Sequence, residues 1–509
     1  MLPRTNWFIQ SVPENLNMPQ RNPQMSFRVL TFALPETITK FKNNQHCMTF
    51  FKHYFSGYRE PGGIKELLDL ATPMIISTAC DGVMTFTDRL FLARVGSEQM
   101  NAAMGGGVAM QMLMFFFLGL TGYSTALVAQ YFGAGEKHNS SKAASQAILV
   151  TLLAWPVIIL LKPLAIAFFD LMHIPASQIG YQIEYLNILI WGAIFSMMRY
   201  TMGCYFTGIG KTPIVMQATI VAMIVNVGLD YILIFGKLGF PAMEIRGAAL
   251  ATISGAFCAL LVLITAYLSR ENRVNFAVLK SFRFNWPIMK RLLYYGYPAG
   301  LEFSLNFLAF TIMISLFHAQ GDVVATATTI MFNWDLVSFI PLLGIEMAVM
   351  SLVGRYMGAG QPDTANHAAI SAIKTGIFYS VVILALFVLI PEGLVRIFHP
   401  ETSTAIFENA VPIAVSMIRI ASLYVLAEAL MVALVGALRG AGDTHFTMIA
   451  SVTMHWLFVP VLFLALNILH LPVSTSWLIL VVFFLLFCSV LVFRFRSGKW
   501  KQIRVIGEN

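Results

Sequence analysis

The 509-residue chain is 58% hydrophobic and 11% charged, with a formal net charge of +8. A water-soluble domain carries roughly 25% charged residues, so folding alone cannot hide this much apolar surface and the bilayer must be part of the solvent. The basic balance does not indicate nucleic-acid binding, because no segment outside the apolar stretches is large enough for such a domain, and Cys47, Cys80, Cys204, Cys258 and Cys488 fall at no metal-ligand spacing.

Taken in chain order, residues 1–60 are mixed and polar, lack the continuous apolar stretch of a signal peptide, and are expected to form a cytoplasmic tail. Twelve apolar segments follow, each near the ~20 residues that cross a bilayer core. The first six are predicted over 67–92, 103–130, 143–169, 182–207, 213–236 and 247–269. The second six are predicted over 292–317, 323–353, 368–390, 408–436, 446–468 and 473–495. Between the sets lies a basic connection, 270–290, carrying Arg270, Arg273, Lys280, Arg283 and Lys290. A basic tail, 496–509, follows the last span. Connections 168–181, 318–323 and 469–473 contain no Lys or Arg, although Lys237, Arg246 and Arg396 lie on that same side. Cationic loops mark the cytoplasmic face, so both termini and the central linker are expected there.

The two sets of six are copies of one unit. Lys65-x-Leu67-Leu68-x4-Pro73 returns as Lys290-x-Leu292-Leu293-x4-Pro298. Tyr131-x-Gly133-Ala134-Gly135 returns as Tyr356-x-Gly358-Ala359-Gly360, and Gly208-x-Gly210-x-Thr212 as Gly440-x-Gly442-x-Thr444. Six spans per copy make a parallel repeat about an axis along the membrane normal, a plan common among transporters. The expected organisation is an N-lobe at 61–269, the linker at 270–290 and a C-lobe at 291–495. The glycine strings close spans and read first as turn punctuation.

Carboxylates inside membrane spans are costly and usually face a polar interior. Asp81 and Asp88 lie two turns apart on the first span. Pro73, within the same span, removes a backbone hydrogen bond and permits a bend, which makes it a candidate hinge. Asn226 and Asp230 share one face of the fifth span. They offer oxygen ligands to Na+, a relay to H+, or a polar pair that only locks helix packing. In the second copy, Glu302 and Asn306 repeat that spacing, Asp335 and Glu346 are three turns apart on one face, and Glu428 sits in the tenth span. These five residues are candidates for a C-lobe polar cavity. Gly440-Ala441-Gly442-Asp443 matches the Gly-x-Gly-Asp string of intramembrane aspartyl proteases, but Asp443 falls in a turn and its repeat partner is Lys211. No His-Glu-x-x-His, P-loop or nucleophile elbow is present, so no catalytic residue or enzymatic activity is expected.

An ordered set of motifs resembles the multidrug and toxic compound extrusion (MATE) family. The set is Pro73 with Phe86-Thr87-Asp88, Gln130-Tyr131-Phe132-Gly133-Ala134-Gly135, Asn226-Val227-Gly228-Leu229-Asp230-Tyr231, Gly247-Ala248-Ala249-Leu250-Ala251-Thr252 and Leu438-Arg439-Gly440-Ala441-Gly442-Asp443-Thr444. The Asn-x3-Asp element looks most like the DNA-damage-inducible prokaryotic branch. The resemblance implies an all-α membrane protein of twelve helices, in two six-helix bundles around a V-shaped cleft. It implies export of organic, often cationic, compounds in exchange for H+ or Na+, with no cofactor. The family's N-lobe ion site matches Asp88, Asn226, Asp230 and Thr252; Asp88, Asn226 and Asp230 are then the candidate Na+ ligands. Another branch places a C-lobe acid at Glu428, while its seventh-span acid falls opposite Asn306. Small organic substrates, a monomer in the bacterial inner membrane and no nucleic-acid partner are expected. A flippase for lipid-linked precursors is the nearest alternative, followed by an intramembrane protease or a non-transporting scaffold.

Overall fold

Helices begin and end close to the predicted limits. The structure, a computed structural model, describes residues 57–171, 175–399 and 405–507, so most of the expected N-terminal tail lies outside the described residues. The membrane helices of the first copy are α1 (Ile64–Val95), α2 (Ser97–Gly133), α3 (Lys137–Leu160), α4 (Ala176–Gly208), α5 (Thr212–Phe235) and α6 (Glu244–Tyr267). Those of the second are α7 (Trp286–His318), α8 (Asp322–Gly358), α9 (Pro362–Leu389), α10 (Ala405–Ala421 with Val425–Ala441), α11 (Thr444–Ile468) and α12 (Val473–Arg496). Ten are long and apolar enough to cross a bilayer as they stand, and α10 makes an eleventh crossing with a 51° bend. α4 is equally long but diluted by Glu184, Asn187 and Arg199, two of which are neutralised within the lobe: Glu184 by Arg246 and Arg199 by Asp81. No strand occurs among the described residues.

The helices depart from the sequence reading in three places. The third predicted span breaks at Leu161, giving α3 and a separate helix Lys162–Leu171 whose second residue is Pro163. The tenth bends at Ser422–Tyr424, where no proline or glycine announces it. The linker is structured, with a short helix Arg270–Asn275 and a 3-10 turn Val278–Lys280.

Without water in the bilayer core, helices associate through close packing of small residues and internal hydrogen bonds. The glycine strings do this in addition to turning the chain. Gly135 and Gly360 are the turn positions, at φ +78° and +70°. Gly133 and Gly358 are contact positions instead. A Cβ on Gly133 would lie 1.8 Å from the Arg355 carbonyl oxygen, and one on Gly358 would lie 1.9 Å from the Gln130 carbonyl oxygen. The ends of α2 and α8 thus press backbone to backbone across the lobe boundary, each through the other's repeat. Gly358→Ala is expected to lower the thermal unfolding midpoint of the detergent-solubilised protein, at a cost of about 1–3 kcal/mol for overpacking. Gly107→Ala, where nothing lies within 4 Å, is the control; equal midpoints for the two variants would remove the contact role.

The lobes exchange the starts of their first helices. Leu67, Leu70 and Ala71 of α1 are buried with Leu342, Leu352 and Ala368 of the C-lobe. Their repeat counterparts at the start of α7, including Leu292, are buried with Tyr123, Ala126 and Leu127 of α2. Packing therefore crosses the boundaries drawn at 61 and 291.

Apart from Thr78 Oγ1, which donates to the Ile340 carbonyl at mid-span (3.4 Å), the cross-lobe hydrogen bonds gather at the end that carries the basic linker and tail. There Gln130 Nε2 donates to the Gly440 carbonyl (2.9 Å) and Ser351 Oγ to the Thr207 carbonyl (2.6 Å). Tyr356 Oη donates to Glu66 Oε2 (2.7 Å), whose other oxygen pairs with Arg355 (3.2 Å). At the opposite end the polar contacts stay inside a lobe: Gln99 Nε2 donates to Glu244, Gln320 to Asn467, and Trp334 to the Leu394 carbonyl. Most of the hydrogen bonds that join the lobes are therefore at the basic end.

Candidate functional site

Three N-lobe helices converge on Asp88. α5 and α6 approach closely because Gly255 lies against the Ala222 carbonyl, where an added Cβ would come within 2.8 Å. The small residues Gly247, Ala248, Ala249 and Ala251 are buried on the same helix. This contact brings Asn226 and Asp230 of α5 beside Thr252 of α6. Asn226 Nδ2 donates to Asp88 Oδ1 and Thr252 Oγ1 donates to Asp88 Oδ2, each at 3.2 Å. Asp230, one turn beyond Asn226, is fully buried and is a charged neighbour of Asp88. All four residues named from the sequence meet in one place.

The arrangement leaves acceptors over. Both carboxyl oxygens of Asp230 and the amide oxygen of Asn226 are buried and receive no hydrogen bond. Orphaned acceptors of this kind are expensive unless a proton or cation meets them. Two carboxylates, an amide oxygen and a hydroxyl form an all-oxygen set that suits Na+ as readily as H+. Tyr185 of α4, buried beside Asp88, Asp230 and Thr252, is a neighbour to which no motif points. Asp81, one helical face with Asp88, is instead held by Arg199 at 3.2 Å. Pro73 lies inside an unbroken α1, ahead of the site.

The five C-lobe candidates divide into three groups by their hydrogen-bond and charge partners. Glu302 and Glu346 both clamp Arg439, at 3.0 Å and 2.6 Å, and the guanidinium also lies 5.1 Å over the Phe303 ring. Asp335 accepts a 2.7 Å hydrogen bond from Tyr424, with Glu428 close to both. Asn306 donates to Ser451 at 2.7 Å. Asp335 and Glu346 are on one face of α8, as their spacing requires, and that face meets Glu428 and Arg439, which are also eleven residues apart, on α10. A cavity of about 60 Å³ adjoins the second group, walled by Asp335, Tyr424, His455 and aromatic side chains.

The motif positions that suggested other chemistry are paired. Arg494 grips Asp443 through two hydrogen bonds of 2.7 and 3.0 Å, which makes that acid an anchor for the end of α12. Lys211, its counterpart in the first copy, binds Glu271 at 2.6 Å. Among the described residues no cluster of three metal-ligating His, Cys, Asp or Glu side chains occurs.

A duplicated fold of long membrane helices, with buried carboxylates in both copies, is the architecture of a membrane transporter. The MatE family profile matches residues 73–232 and 298–464, one stretch in each copy, and the chain belongs to that family. It is 26% identical over 471 residues to a probable multidrug resistance protein NorM of Thermotoga maritima, covering 90% of this chain and 97% of that protein. It is 28% identical over 408 residues to the multidrug resistance protein PmpM of Pseudomonas aeruginosa, covering 79% and 83%. In fold it resembles a MOP-superfamily transporter from Pyrococcus furiosus, with a TM-score of 0.79 at 18% identity, over 86% of this chain and 97% of the other. It is a multi-pass membrane protein of a family of transporters.

Proposed function

We propose that the protein is an antiporter that exports organic, often cationic, compounds in exchange for H+ or Na+ entering from the opposite side. The observation that carries this reading is the set of buried, donor-free oxygens of Asp230 and Asn226 beside Asp88. Such a site gains greatly from a proton or a sodium ion and poorly tolerates having neither. The basic linker and tail support a cytoplasmic position for the end that holds most cross-lobe hydrogen bonds, and in this reading the cleft between the lobes opens outward. Ion entry at Asp88 and Asp230 removes charge from the N-lobe. α1 then bends near Pro73, and its outer half presses substrate out of the cleft. By linkage, bound substrate weakens ion binding by the same factor that the ion weakens substrate binding.

The names of the relatives support small organic substrates. The lipid-precursor flippase reading needs free intramembrane cations for a pyrophosphate. Arg199 is taken by Asp81, and Arg439 by Glu302 and Glu346.

The test is uptake of a fluorescent organic cation into inside-out vesicles, or its movement across proteoliposomes, under an imposed H+ or Na+ gradient. One gradient is expected to drive dye movement, and the matching ionophore to abolish it. Dye movement indifferent to both gradients and both ionophores rules the antiport reading out.

A further inference from the structure

We infer that the linker between the lobes is a binding platform for anionic phospholipid headgroups in the leaflet at the basic end. Its inner face is fixed. Asn272, Phe276, Val278 and Ser281 are buried; Ser141 Oγ at the start of α3 donates to the Phe276 carbonyl at 2.7 Å, and the Ser145 and Ser281 hydroxyls share a 2.8 Å hydrogen bond. Gln146 holds the next stretch, donating to the Arg283 carbonyl and accepting from the Asn285 backbone N–H. The segment cannot roll its outer face inward.

That outer face is both greasy and cationic. Val274, Leu279, Phe282, Phe284 and Trp286 are between 52% and 72% exposed. Arg270, Arg273, Lys280 and Arg283 are exposed among them, and none of the four forms an ion pair among the described residues. The one acid of the segment, Glu271, is occupied by Lys211.

A platform facing bulk water has no reason to display five large apolar side chains. The equivalent segment after the second copy hides its own: Trp500 is fully buried and Val505 nearly so. The linker's depth is fixed by its ends, which are the last turn of α6 and the first turn of α7. The Phe282 ring lies 6.2 Å from Tyr267 at the former, and Phe284 lies 6.1 Å from Trp286 at the latter. Aromatic rings and cations at that depth meet the boundary between acyl chains and headgroups. The cations there have no protein counter-charge, which a phosphate-bearing anionic lipid supplies.

The experiment is native mass spectrometry of the full-length protein from mixed micelles of phosphatidylglycerol and phosphatidylcholine. Wild type is expected to retain phosphatidylglycerol in preference, and to lose that preference as ionic strength rises. R270Q/R273Q/K280Q/R283Q should weaken phosphatidylglycerol retention by about five-fold per neutralised cation, with phosphatidylcholine unchanged. F282S/F284S/W286S should weaken retention of both lipids. All seven side chains are exposed, so unfolding midpoints should match wild type; the salt dependence of the unaltered protein decides the matter if they do not. Equal retention of the two lipids by wild type, or an undiminished preference in the four-Gln variant, overturns the proposal. So does a dimer dissolved by the triple serine substitution, which would make this face the seat of a second copy.

Discussion

Asp88→Asn is expected to remove ion-driven efflux while leaving a folded protein. The substitution keeps the size of the side chain and can still meet Thr252 and Asn226, whose present hydrogen bonds to Asp88 are 3.2 Å long. It cannot take up a proton or a charge-neutralising cation. Coupling free energies between linked sites are typically ~1–3 kcal/mol. Gradient-driven dye transport should therefore fall within a range of roughly 5- to 150-fold, with the unfolding midpoint near that of wild type. Asp230→Asn should behave similarly, since its two oxygens are the ones left without donors. Undiminished gradient-driven transport by Asp88→Asn would eliminate the N-lobe mechanism.

Arg439→Met is expected to act on stability first. Arg439, Glu302 and Glu346 side chains are 9%, 3% and 15% exposed. Methionine matches much of the lost volume but leaves two carboxylates buried without a counter-charge. Removing one member of a buried ion pair usually costs ~3–5 kcal/mol, enough to reduce yield and lower the unfolding midpoint sharply. R439M/E302Q/E346Q, in which no uncompensated charge remains, should recover most of the loss, because replacing a whole buried ionic cluster is often near neutral. A single variant as stable as wild type, or a triple variant no better than the single, would show that the clamp does not hold the C-lobe together.

What could be read from the sequence followed the range of the interactions. Spans were legible because each apolar window is local and ends at polar or glycine-containing turns. Asn226 and Asp230 were legible because four residues is one helical turn. Thr252 came only through the resemblance of the Gly247–Thr252 string. Arg439 was read as part of a loop motif, whereas its long side chain extends from the end of α10 into the bundle, where both Glu302 and Glu346 reach it. The matched eleven-residue intervals, Asp335 to Glu346 on α8 and Glu428 to Arg439 on α10, were the available signal for that register. The bend of α10 left none, since Ser422, Leu423 and Tyr424 carry no helix-breaking residue.

The segment after α12 sets a ruler at the joined end. Trp500 is seated in the C-lobe, stacked on Phe495. Val505 belongs to the buried cluster built on α2, against the turn at Gly442. Five residues of extended chain reach at most about 18 Å at ~3.3–3.6 Å each. Parting of the two seats beyond that length must pull one plug from its socket, and the smaller, Val505, has less apolar surface to surrender. The segment is a short strap across that end, and it tolerates movement between its two seats only within its own contour length.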